Sequence, residues 1–144
     1  MRTCSRAFNR KPKLKGNKGF TLIEMLVVAA ILSIFASIAI PSYQEFVLKS
    51  RRAEGISFLF QIMELQERYF TDNLSYATDL TELGYVSSTN LESESSYYQV
   101  NAAACDGTVI SDCVLLTANA INEQQNDEDL SLSSLGNKLP DGFW

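Results

Sequence analysis

The sequence predicts an α+β fold, a long kinked amino-terminal helix packed through its second half on a small antiparallel sheet. Three observations predict it. An unbroken apolar run covers Phe20 to Ile40. An amphipathic helical pattern continues from Ser42 to about Phe70. Short alternating stretches then follow a polar loop.

The apolar run comes first. At 1.5 Å per residue its 21 residues form a helix of about 32 Å. The hydrocarbon core of a bilayer is roughly 30 Å thick, so the run is long enough to span it. Only Thr21, Glu24, Ser33 and Ser37 interrupt it with polar groups. Two other readings stay open: a core helix of a soluble protein, and a secretory signal with Ser37 and Ala39 at its cleavage site. A core helix of this length would show a polar face. A signal core would be shorter and would have no use for an acid.

Seven bases and no acid precede the run: Arg2, Arg6, Arg10, Lys11, Lys13, Lys15 and Lys18. Positive charge beside a span keeps that side cytoplasmic, so the remainder is expected to be exported. Three segments follow: a basic leader (1–19), a membrane helix (20–40) and a globular domain (41–144).

Without the leader, five bases remain against 17 acids, a net charge of −12. Such a surface repels phosphate backbones and argues against direct nucleic-acid binding. The chain has no histidine, which removes the commonest general base and metal ligand. Neither an enzyme nor a cofactor is expected.

Glu24 needs an explanation of its own. A charge within a bilayer costs on the order of 2.5–3.5 kcal/mol at the centre and less near the interface. No base within the run can pair with it. Its partner must come from another molecule or from a new amino terminus.

These residues resemble the signature of type IV pilins and pseudopilins. It consists of Lys18–Glu24 (KGFTLIE), the apolar run, and Pro41. The resemblance implies cleavage by a prepilin peptidase between Gly19 and Phe20 and N-methylation of Phe20. Glu24 is then the assembly acid that pairs with the Phe20 amine of a neighbouring subunit. It also implies the pilin fold, a helix kink at Pro41, and partnership with the inner-membrane assembly machinery. The chain would lie in the inner membrane before assembly. Afterwards it would lie in an extracellular pilus or periplasmic pseudopilus. Gln66–Asn73 (QERYFTDN), Tyr76–Tyr85 (YATDLTELGY), Leu130–Lys138 and Trp144 are similar to a group of small minor pilins. Relatives in this group often carry cysteines near the positions of Asp127 and Phe143, where this chain has none.

The rest of the chain follows in order. Pro41 lacks a backbone donor and should kink the helix. Beyond it, Ile56, Phe60 and Met63, with Leu59 and Phe70 beside them, are expected to face a sheet, with Gly55 as a weak point. Thr71–Glu94 reads as a surface loop with a short helical turn near Thr78–Leu83. Strands are expected at Tyr97–Ala103, Cys113–Ala120 and Leu130–Leu135, with a turn at Asp106–Gly107. Cys105 and Cys113 would flank that hairpin loop. In an oxidising periplasm they are expected to bridge. A nine-residue loop makes that bridge worth about 2.6 kcal/mol. Asp127–Asp129 reads as a solvated turn, since a calcium loop would need a tighter, glycine-containing arrangement.

Three functions compete: a minor pilus subunit serving assembly, motility, adhesion or DNA uptake; a secretion-system pseudopilin; and a DNA receptor on the pilus surface. The similarity around Gln66–Tyr85 favours the first.

Overall fold

The computed structural model describes residues 19–144. The basic leader before Gly19, including Cys4, lies outside the described residues. The chain divides into two compact units between Ala39 and Ile40.

In the first unit the described chain is helical from Leu22, the start of α1 (Leu22–Asn73). Thr21 opens the helix. The Glu24 backbone N–H donates to Thr21 Oγ1 at 3.2 Å, and that of Met25 to the Thr21 carbonyl at 3.2 Å. Every residue from Phe20 to Ile40 is exposed. This stretch has no core of its own.

The second unit combines the rest of α1 with five strands. These are β1 (Leu91–Glu92), β2 (Tyr98–Ala104), β3 (Val114–Ala120), β4 (Leu130–Ser133) and β5 (Lys138–Leu139). They form an antiparallel meander in sequence order. The three expected strands are present, each ending within about two residues of its expected bounds. The two short edge strands carry too little pattern to be read from sequence. Strand alternation turns Tyr98, Val100, Val114, Leu116, Ala118, Leu130 and Leu132 inward, all of them buried.

The helix face is shifted from the expected one, with Leu59 and Met63 buried as expected. The buried positions are Gly55, Leu59, Ile62, Met63 and Gln66. Their spacing of four, three, one and three residues traces one stripe down the helix. Ile56 packs at its margin, Phe60 is 45% exposed, and Phe70 stacks on Tyr76 instead. The stripe is set by Gly55. A Cβ there would lie 2.7 Å from the buried Tyr98 ring, so the missing side chain lets helix and sheet meet. Gly55 costs helix propensity but is a packing requirement rather than a weak point.

The Thr71–Glu94 loop is also more buried than expected. Ala77, Leu80 and Leu91 join the interior. The expected turn is a 3-10 helix at Leu80–Leu83, opened by Asp79, whose side chain accepts from the Thr81 N–H. Gln66 holds the loop down with two hydrogen bonds to the Ala77 backbone. Being polar, it could not have been found by hydrophobic periodicity.

Candidate assembly site and surface domain

The site is built on the first turn of α1. A spanning helix satisfies its own backbone, so only side chains can raise the cost of insertion. Ser33 donates to the Ala30 carbonyl at 2.8 Å and Ser37 to that of Ile34 at 2.7 Å. Thr21 is used as a cap. Of the four polar residues of the run, Glu24 alone keeps a side chain without a partner among the described residues, and it is exposed. Phe20 and Gly19 stand exposed beside it. The first turn therefore presents an exposed carboxyl group without an ion-pair partner among the described residues. A negative charge here also suits the positive end of the helix dipole.

Pro41 lies within α1. Having no N–H, it leaves the Ser37 carbonyl without its helical partner. The helical conformation continues on both sides.

Cys105 and Cys113 are joined in a disulfide. It closes the β2–β3 hairpin beside a backbone bond from the Cys105 N–H to the Cys113 carbonyl at 3.3 Å. Asp106–Gly107 forms the turn, with Gly107 at φ 73°. That left-handed conformation favours glycine.

Asp127 corrects the expectation of a solvated acid run. Its side chain is 7% exposed. Arg52 grips both its oxygens, with Nε donating to Oδ2 at 3.0 Å and the second guanidinium nitrogen to Oδ1. Gln124 donates to Oδ2 at 2.6 Å and the Tyr98 hydroxyl to the same oxygen at 3.3 Å. Glu128 is solvated as expected, whereas Asp129 accepts from the Ala120 N–H at 2.8 Å.

The electrostatics follow from this packing. Burial pushes the Asp127 carboxyl up. The hydrogen bonds from Arg52 and Gln124 and the Arg52 charge outweigh it, leaving Asp127 below the usual carboxylate range. Burial raises the Tyr98 hydroxyl to about 12, with Gln124 opposing and the Asp127 charge reinforcing.

Arg52 also lies over the Phe143 ring at 3.8 Å. The two positions that lack the group's cysteines therefore meet through one guanidinium. Arg51, its neighbour on α1, donates to the Glu123 carboxylate and lies 4.4 Å above the Tyr97 ring. Arg51 and Arg52 are thus both committed to acids and rings within the domain. Among the described residues, Lys49, Arg68 and Lys138 form no ion pair. Sequence reasoning missed this network because its members are far apart in the chain.

Comparison with known proteins gives two matching family models. "Type IV minor pilin ComP, DNA uptake sequence receptor" matches residues 41–132, and "Prokaryotic N-terminal methylation motif" matches residues 14–40. The type IV major pilin protein PilA of Myxococcus xanthus is 36% identical over 91 residues, covering 62% of this chain and 40% of PilA. The fimbrial protein EcpC of Eikenella corrodens is 33% identical over 92 residues, covering 64% of this chain and 60% of EcpC. A type IV major fimbrial protein FimA of Dichelobacter nodosus is 52% identical over 40 residues, 28% of this chain and 25% of FimA. The matches thus span between a quarter and three fifths of these relatives' lengths.

Proposed function

We propose, from the premise that the chain belongs to the type IV minor pilin family whose model matches residues 41–132, that it is a structural subunit of a type IV pilus, of the minor class, serving DNA uptake. The observation that carries the reading is the unpartnered Glu24 carboxylate in an otherwise self-satisfied apolar helix, following a matched N-terminal methylation motif. Cleavage after Gly19 gives Phe20 a new ammonium group. The Glu24 of one subunit and the Phe20 amine of the next neutralise each other as helices stack in the bilayer and the fibre. A prepilin peptidase makes the cut, and the inner-membrane machinery draws the subunit out. Before that, the chain spans the inner membrane with its leader in the cytoplasm. Pro41 supplies a kink in the helix. The domain carries no catalytic role.

Two measurements test this. The mass of the mature chain should begin at N-methyl-Phe20, and the chain should be present in sheared fibres. A mature chain beginning near Ile40, or absence from fibres, refutes the reading. Retention in a periplasmic secretion complex would move it to the pseudopilins.

The matched family's description favours a second reading, a receptor for DNA. The bases bear on it directly. With Arg51 and Arg52 committed, Lys49 and Arg68 remain for phosphates, together with Lys138, whose ammonium lies over the Phe60 and Trp144 rings without an ion pair among the described residues. Three contacts give a slope of log affinity against log salt of about −2.7 on duplex DNA. Duplex binding by the detergent-solubilised chain, titrated against salt, reads this slope. Undetectable binding removes the receptor role and leaves the structural one standing.

A further inference from the structure

We propose that the outer face of β2, β3 and β4 is a contact surface for a second copy of this chain, because these strands are uncharged in a strongly acidic domain, with Glu92 of the edge strand β1, opposite Gln99, at the margin of that face. Residues 40–144 hold five bases and 16 acids, a net charge of −11. Yet β2, β3 and β4 contain no charged residue at all. Their inward residues are buried. A soluble sheet would normally place charges on the outward ones, which also discourages association. Here they are neutral, and apart from Gln99 and Leu115 they are small. Asn101, Thr117 and Ser131 lie in register across the three strands, and Gln99 pairs with Asn119 one step along.

Two copies each carrying a charge of −11 repel wherever loops or helix surfaces approach. At physiological salt the screening length is about 8 Å, so an approach through the acidic surfaces is penalised most. Sheet faces pack about 10 Å apart, with short side chains interleaved. A contact centred on β3 and β4 therefore lets two copies meet with Glu92 at its margin and most of their other acids outside it.

Hydrogen bonding supports the same occupant. Among the described residues, the Asn119, Thr117 and Ser131 side chains make no hydrogen bond within the chain, although all three are partly covered. Asn101, by contrast, is tied to Asn90. Three adjacent neutral groups are thus free to pair across an interface. Beside them, at the β4–β5 end, lies a groove of about 280 Å³ floored by Leu115 and Ser131. Leu135 and Leu139 flank it, 68% and 57% exposed. Each copy thus carries both an apolar knob and a hollow, as a two-fold contact of like with like requires. No base lines the groove, which disfavours anionic ligands. Its one acid, Asp106, stands at the rim beside Cys105.

The test uses the full chain in detergent, in a Cys4→Ser background. Single cysteines replace Thr117, Asn119 or Ser131, with Asp72→Cys on the helix end as the control. Under mild oxidation at least one sheet position should cross-link about tenfold faster than the control, and raising salt should speed it. Leu135→Glu, at an exposed loop position, should lower the cross-linked fraction while leaving circular dichroism unchanged. Association through the membrane helices alone gives no preference for the sheet positions, and that result overturns the proposal. In cells that assemble the fibre, cross-linking of Thr117→Cys only to a different fibre component also overturns it, assigning the face to a heterologous partner.

Discussion

Two stretches of the same helix solve the same physical problem in different ways. Residues 55–66 bury Gly55, Leu59, Ile62, Met63 and Gln66 against their own sheet. Residues 22–40 bury nothing, although they are the more apolar of the two. Burying a large aliphatic side chain is worth about 1.5–3 kcal/mol. The first stretch collects this within the chain. The second must obtain it from lipid or from neighbouring subunits. The difference teaches that one part of α1 completes a fold and the other leaves an assembly unfinished.

Substitutions can break that contrast. The largest effect is expected at Glu24. Glu24→Ala should leave membrane insertion intact and reduce the chain in sheared fibres by at least about tenfold, a loss of some 1.4 kcal/mol in pairing. Immunoblots of membrane and fibre fractions measure both. Wild-type fibre levels would separate assembly from this carboxylate.

Next is Arg52, within the self-contained part. Arg52→Ala strands a mostly buried carboxylate and should destabilise the domain by about 3 kcal/mol. Arg52→Lys should recover only part, because an ammonium cannot grip both oxygens. Urea unfolding reads these values. The pair also has a pH signature. Asp127 titrates below its ordinary value in the folded state, so its contribution is complete above the unfolded carboxyl value. It fades as pH falls below about 4, and Arg52→Ala should blunt that acid dependence.

Removing the disulfide with Cys105→Ser and Cys113→Ser should cost about 2.6 kcal/mol by the same unfolding assay. Gly55→Ala should cost about 1 kcal/mol net. Overpacking against Tyr98 outweighs the gain in helix propensity. A stabilised variant would show that the ring can yield. The smallest effect belongs to Arg51→Ala, at most about 1 kcal/mol, because Glu123 is 71% exposed.

The contrast also explains what could be read from the chain. The apolar run, Glu24 and the three central strands announce themselves through local pattern. So do Cys105 and Cys113 at the ends of one hairpin. Gly55, Gln66 and Asp127 do not. Gly55 is set by Tyr98, Gln66 by the Ala77 backbone, and Asp127 by Arg52, 75 residues away. Each looks like a liability until its distant partner is known. The phase of the helix stripe shifted for the same reason: periodicity finds an apolar face, but the sheet decides which edge of it is pressed closest.

The sheet ends on both sides in stubs of two residues, Leu91–Glu92 and Lys138–Leu139, with Pro140 directly behind the second. Stubs that short, each with a charge and one followed by a residue without an N–H, offer little for a foreign strand to zip onto. For a domain that stands among other pilin domains this closes off the least orderly way of associating.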